Sequence, residues 1–441
     1  MNNSAVSIED VSLSRFHQLL TLRAWSGSLV AGYVLSIVGV VMLQMSSTLQ
    51  LDAFWEGMIA ASALIGIFCG GFIGGWLTDL LGRRCMFLVA PALFVMASLG
   101  HMWTDSAALT FLLRLLIGIA VGFEYPVASS LLVELLPRQY RGPRLAALAL
   151  LWFIGAALAY VVGEVILHSG HPDGWKYTLA SSAVLGAILF VMRLGTHESP
   201  GWLLSKGRTA QADALIKHIY GPDFSTANLP RQGEGKRLPL SSLLRSGYGK
   251  RMFFVVMFWT CGIIPVFAVY AFAPKVLAAL NLTGDYSAIG SIAITLFFVA
   301  GCYLAMRLIN VLGRRSLLLF SFTLSGLSLL GLGAFSASSG NLILIFFSLY
   351  ALFIGGAQVL TLVYPNEIFP IEMRSVAVGI GTSFSRIGAA AGTYLVPMSL
   401  NSIGVANTMY AAAFITLIGL VVTWMYAPET KSLSLEQAAA L

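Results

Sequence analysis

Glu124 and Arg386 are charged side chains set deep in apolar sequence, with no nearby polar run to explain them. Chemistry at such positions is limited to proton binding, ion pairing or recognition of a polar solute. A charge at bilayer depth costs roughly 2.5 to 3.5 kcal/mol even on lenient insertion scales, so each is a functional candidate by default. For Glu124 two readings stand: a proton-binding carboxylate brought toward neutrality by burial, or a carboxylate locked to an arginine across the bundle. Arg386 reads as a clamp for a substrate carboxylate or polar group, since guanidinium suits bidentate recognition. Its alternative is to partner Glu124 or backbone carbonyls. Arg114, in the outer half of its apolar segment, reads as structural or gating before it reads as a ligand. Glu164 lies near the outer end of the following segment.

The segments that hold these residues dominate the chain. Charged residues are 10% of 441, hydrophobic residues 58%, and the mean hydropathy is +0.84, a balance that lipid must solvate. Twelve apolar segments are expected, near 24–45, 56–79, 85–103, 107–136, 145–168, 175–195, 252–273, 287–309, 316–336, 341–364, 376–400 and 406–427. The fold class is therefore an all-α membrane protein, with its 44 glycines fitting close helix approach in lipid. Net charge is +7, yet a nucleic-acid partner is excluded because the bases cluster in turns on one side. Only Lys176 and Lys275 stand out on the other, a positive-inside bias that puts both termini in the cytoplasm. The four cysteines (Cys69, Cys85, Cys261, Cys302) have no disulfide or metal-ligand spacing and read as packing residues. The polar first 20 residues do not resemble a cleavable signal peptide. No phosphate-binding Gly-x4-Gly-Lys-Ser/Thr loop occurs, so direct ATP hydrolysis is not expected.

A long internal repeat organises the segments. Asp79-Leu-Leu-Gly82-Arg83-Arg84 recurs as Asn310-Val-Leu-Gly313-Arg314-Arg315, an interval of 231. Glu134-Leu-Leu-Pro137 with Arg141 recurs as Glu367-Ile-Phe-Pro370 with Arg374, and Glu198 recurs as Glu429. The chain thus divides into an N-terminal segment (1–23), a six-helix bundle (24–195), a cytoplasmic connector with short helices (196–251), a second six-helix bundle (252–427) and a tail (428–441). Two repeated bundles of apolar helices point to a secondary transporter. Gly82 permits a tight turn between antiparallel spans, and Asp79 can face a helix N-terminus or an arginine. Pro265, Pro365 and Gly355-Gly356 are expected to break spans seven and ten locally.

These motifs, with Arg114-x3-Gly118-x3-Gly122, Glu198-Ser-Pro-Gly-Trp202 and Pro428-Glu429-Thr430-Lys431, resemble the major facilitator superfamily over essentially the whole chain. The likeness is to its sugar-porter-like and metabolite:proton symporter branch. The resemblance implies a gate network at the cytoplasmic rim, joining the bundles in the outward-open state. That role falls on Asp79, Arg83, Arg84, Glu134, Arg141, Asn310, Arg314, Arg315, Glu367 and Arg374. It also implies a central cavity, with Tyr33, Trp152, Trp259, Tyr270, Gln358, Thr361, Tyr364, Arg114 and Arg386 as substrate-binding candidates. Two departures matter. Ala31-Gly32-Tyr33-Val34 lacks the first-span carboxylates of proton-coupled relatives, leaving Arg114 without its usual counter-ion. Phe258 to Pro265 lacks the amides with which sugar porters hold hydroxyls.

The expectation is a monomeric, multi-pass inner-membrane carrier, with no cofactor or metal and no enzymatic activity. It would move a small polar solute, an organic acid before a sugar, by proton-coupled uptake with Glu124 as the coupling group. Alternatives are an uncoupled facilitator, a drug or metabolite exporter, and a non-transporting membrane sensor.

Overall fold

A computed structural model describes residues 11–228, 248–280, 285–369 and 371–431. Its first half holds α1 (Arg15–Leu49), α2 (Ala53–Leu81), α3 (Arg83–Gly100), α4 (Ala107–Leu135), α5 (Arg138–Leu167) and α6 (Gly174–Arg193). The connector carries α7 (Pro200–Ser205) and α8 (Thr209–Tyr220). The second half holds α9 (Gly249–Ala279), α10 (Asp285–Leu312), α11 (Arg314–Ala334), α12 (Gly340–Ile368), α13 (Ile371–Ser402) and α14 (Gly404–Tyr426). Twelve long helices in two sets of six are the expected all-α membrane fold. The end carrying Arg83, Arg84, Arg314 and Arg315 is termed the basic face.

Helix boundaries run past the expected apolar segments because capping, not hydropathy, sets them. Ser14 and His17 form a reciprocal cap at the start of α1, so residues 15–23 join the first helix instead of a separate N-terminal segment. The short helices expected in the connector are α7 and α8, divided at Lys206-Gly207. Ser199 caps α7 through the Trp202 N–H, and Pro200 fits its first turn. The connector segment 240–244 lies outside the described residues. Eleven helices are long and apolar enough to cross a membrane, among the described residues. The twelfth, α13, is polar and small over Gly381 to Thr393.

Small residues explain how polar α13 packs. A Cβ at Gly381, Gly388 or Gly392 would collide with Trp259, Thr260 or Ile264 of α9, so the two helices lie nearly backbone to side chain. The same device joins α2 to α4, where Gly118 lies against the Ala63 carbonyl and Gly122 against Gly70.

The expected breaks in spans seven and ten do not occur. α9 continues through Pro265 and Pro274, and α12 continues through Gly355-Gly356 and Pro365. Gly355 instead admits the backbone of Gly301 and Cys302, while Gly356 sits against Ser321. Ser321 Oγ donates to the Phe353 carbonyl (2.7 Å) and accepts from the Ala357 N–H (3.0 Å), which stitches α11 to α12. The glycines serve close approach, and the helices stay whole. The four cysteines are free, with Cys261 and Cys302 buried in the second bundle.

Gly118→Val should overpack the α2–α4 contact at a cost on the order of 1 to 3 kcal/mol, lowering the thermal unfolding midpoint of the purified carrier. Gly379→Ala, with nothing within 4 Å of the added carbon, should leave that midpoint unchanged. Equal midpoints for the two variants would contradict this packing.

Candidate functional site

The duplicated motifs fold into two copies of one structure at the basic face. In the first bundle Arg83 pairs with Glu134, and Glu134 also accepts from Ser199 Oγ (2.6 Å) and the Gly201 N–H (2.6 Å). Glu198 accepts from the Arg83 N–H (2.8 Å) and the Arg84 N–H (3.1 Å). In the second bundle Arg314 pairs with Glu367 (2.8 Å), and Glu367 accepts from Thr430 Oγ1 (2.6 Å). Glu429 accepts from the Arg314 N–H (2.9 Å) and the Arg315 N–H (3.1 Å). A carboxylate therefore seats on the N-terminus of α3 and another on that of α11, where the helix dipole favours it. Gly82 (φ 99°) and Gly313 (φ 88°) make the turns and leave room for these carboxylates.

The described rim pairs bind each bundle to its own connector or tail, whereas the resemblance placed the network between bundles. Glu198, Ser199, Glu429 and Thr430 take part in six of these nine bonds. Their place in the repeat was the signal that could have found them. Asn310 accepts weakly from Arg314 (3.3 Å), Arg315 donates to the Trp424 carbonyl (2.9 Å), and Arg141 donates to the Leu136 carbonyl (2.7 Å). The side chains of Asp79 and Arg374 lie outside the described residues. Beside this rim, burial lowers the pKa of His197, helped by the charges of His218, Arg23 and Arg84.

Glu124 has a partner that sequence reasoning missed. Arg193, the last residue of α6, grips both carboxylate oxygens, one of them at 2.7 Å. The same guanidinium donates to the Phe87 carbonyl (3.0 Å) and the Arg23 carbonyl (3.1 Å), and lies over the Phe87 ring. Both side chains are fully buried. Gly27 on α1 makes the room, since a Cβ there would strike both charged groups. One ion pair thus ties α1, α3, α4 and α6. Of the two readings for Glu124, the geometry favours the locked carboxylate, with Arg193 and not Arg386 as its lock.

Arg114 fills its vacancy with backbone. Its guanidinium donates to the carbonyls of Val34 (2.5 Å) and Leu35 (3.2 Å), the stretch where proton-coupled relatives carry an acid. It also borders a cavity with Phe267, Tyr270 and Thr393, residues of the second bundle.

Arg386 is different. Its Nε and Nη1 are buried with no hydrogen-bond partner among the described residues. The guanidinium stands 5.3 Å from the Phe267 ring centroid, and Tyr125 of the first bundle is within its electrostatic reach. Trp152 meets Phe267 and Tyr270 edge-on, at 5.7 and 5.6 Å, which closes an aromatic wall across the two bundles. The hydroxyls of Thr260, Tyr270 and Thr393 are likewise buried without partners among the described residues. Such orphaned groups, spread along α9 and α13, call for polar ligands or water. Gln358 donates to the Gly262 carbonyl (2.9 Å) in the turn before Pro265, and Thr361 donates to the Gln358 carbonyl (2.5 Å). Trp259 packs on Gly381. Tyr33 is bonded to Ser181 (2.6 Å) and Tyr364 to the Pro428 carbonyl, so both hydroxyls are already used.

Two six-helix bundles meeting around buried polar groups are the architecture of a membrane carrier. The family model "Sugar (and other) transporter" matches residues 19–441, and the chain belongs to that family of the major facilitator superfamily. It is 35% identical over 438 residues to the inner membrane metabolite transport protein YgcS of Escherichia coli, covering 99% of this chain and 97% of that one. It is 24% identical over 461 residues to an arabinose-proton symporter of Bacillus subtilis, covering 100% and 99%. Among solved structures, the xylose transporter XylE from E. coli, in a partially occluded inward-open conformation, superposes with a TM-score of 0.81. That likeness has 21% identity and covers 96% of this chain and 100% of the other.

Glu124→Gln strands the Arg193 charge in a dry site and should destabilise the carrier by about 3 to 5 kcal/mol. Glu124→Leu combined with Arg193→Met should recover most of that loss. Thermal unfolding of the purified protein reads both, and a double variant no better than the single would refute the pairing.

Proposed function

We propose that this chain takes up a small hydroxylated organic acid across the bacterial inner membrane by alternating access. The observation that carries the reading is the Arg386 guanidinium between the bundles, whose Nε and Nη1 are buried without a partner among the described residues. A buried cation without a counter-ion is costly, and a substrate carboxylate would supply both the charge and the bidentate acceptor. The unpartnered hydroxyls of Thr260, Tyr270 and Thr393 supply bonds for substrate hydroxyl groups. Family membership supports carriage over sensing, and the basic face is read as cytoplasmic with both termini on that side.

An inside-negative potential opposes anion entry by about 2.3 kcal/mol per charge per 100 mV. Uptake of an anion therefore needs a companion cation, and this supports proton coupling, as does the proton-symporter name of a relative. A second reading, uncoupled flow, is favoured by the commitments of the core charges. Glu124 is held by Arg193, and Arg114 by carbonyls, which leaves Glu124 poorly placed to carry a proton.

Arg386→Lys keeps the charge but loses the fork, and should weaken organic-acid binding about tenfold or more, about 1.4 kcal/mol. Arg386→Ala should abolish it. Calorimetric titration checks both, and unchanged affinity for acids would make the substrate a neutral solute. In proteoliposomes, accumulation should collapse when an imposed pH gradient is dissipated. Accumulation indifferent to the gradient establishes the uncoupled reading.

A further inference from the structure

The face opposite the basic one carries a charge pair of a different kind. Glu56, in the first turn of α2, pairs with Lys275 near the end of α9, and so joins the first bundle to the second. The rim pairs and the Glu124–Arg193 pair each lie within one bundle. The Glu56 side chain is only 5% exposed, and its other oxygen accepts from Ser46 Oγ of α1 (2.5 Å).

The surrounding contacts show that this face is shut. Phe54 meets the Tyr394 ring edge-on at 6.2 Å, and Gly57 lies against the Tyr394 carbonyl with no room for a Cβ. Gly39 lies in the same way against the Tyr270 carbonyl, which also accepts from Tyr160 Oη (2.8 Å). These contacts run from α1, α2 and α5 to α9 and α13. They are apolar or neutral, so they part without stranding a charge. The ion pair does not: separation leaves Glu56 without its counter-charge at a nearly dry position.

We propose that Glu56 and Lys275 form the latch that holds the outer face closed, and that they set how often the carrier opens outward. The proposal rests on alternating access, though not on what is carried. Neither residue belongs to the internal repeat, since the residue 231 positions after Glu56 is Ser287 and the one 231 before Lys275 is Gln44. The rim is common to both halves, whereas the latch is built once, between them. Lysine suits the role, because a single flexible ammonium releases a carboxylate more readily than a bidentate guanidinium does.

Hydrogen–deuterium exchange on the full chain in nanodiscs, without substrate, tests the latch. Glu56→Gln should raise the outward-open to closed ratio about tenfold, equivalent to 1.4 kcal/mol. Exchange should then rise in peptides covering 53–60 and 390–402 but not around Glu124 in α4. Lys275→Gln should give the same pattern. The charge-swapped Glu56→Lys, Lys275→Glu double variant should return exchange toward native levels. Native-like exchange in both single variants would overturn the latch. So would a uniform rise across both bundles, which marks general loosening, or a swap no closer to native than either single change. A wrong substrate assignment would leave these outcomes untouched and would appear only in the binding titrations.

Discussion

The bilayer forbids an unsatisfied charge, and this one constraint arranges most of the molecule. Four ionisable groups sit deep in the helices, and each meets the constraint differently. Glu124 and Arg193 satisfy each other, and the surplus donors of Arg193 reach carbonyls on two more helices. Arg114 satisfies itself on the α1 backbone. Arg386 keeps two buried guanidinium nitrogens, Nε and Nη1, unpaired among the described residues, against Nε alone for Arg114 and Arg193, and it stands where the two bundles meet. A group left unsatisfied by the fold is the one a solute can satisfy. Binding is then strongest for the ligand whose charge the protein lacks.

Close packing makes these arrangements possible. The Glu124–Arg193 pair exists because Gly27 removes a side chain from the helix facing it. Arg386 is borne on a helix so rich in small and polar residues that it does not stand out as apolar, and small residues let that helix lie against α9. Glycine thus buys depth for charge. The same residues that bring helices together in lipid create the narrow, mixed interface in which a carrier can hold a polar solute.

Much of this was legible in the sequence, and the remainder was hidden for a physical reason. Hydropathy exposed the twelve helices, and a repeat interval of 231 exposed the rim, since both are properties of one strand of sequence. Pairing is not. Arg193 resembles any base at the end of a span until folding brings it beside Glu124, 69 positions away. Lys275 and Glu56 are separated by 219 positions and by a bundle boundary. Pro265 and Pro365 misled in the opposite direction, because local chemistry reads them as breaks while neighbouring helices keep the spans whole.

The rim and the outer pair place different demands on the transport cycle. Rim carboxylates cap α3 and α11 from within their own halves, so each bundle can rotate as a unit without losing those bonds. Rigid bundles are what allow a small change at one face to become an opening at the other. A pair that bridges the halves cannot move with either unit, and it must break or form as the bundles rock. The energy that biases the cycle therefore belongs at the few contacts crossing between bundles. In this chain those contacts include the aromatic wall around Phe267, the packing of α2 on Tyr394 and the charged contact at Glu56. A ligand that satisfied Arg386 would touch the first of them directly, and occupancy of the centre would then be felt at the outer face.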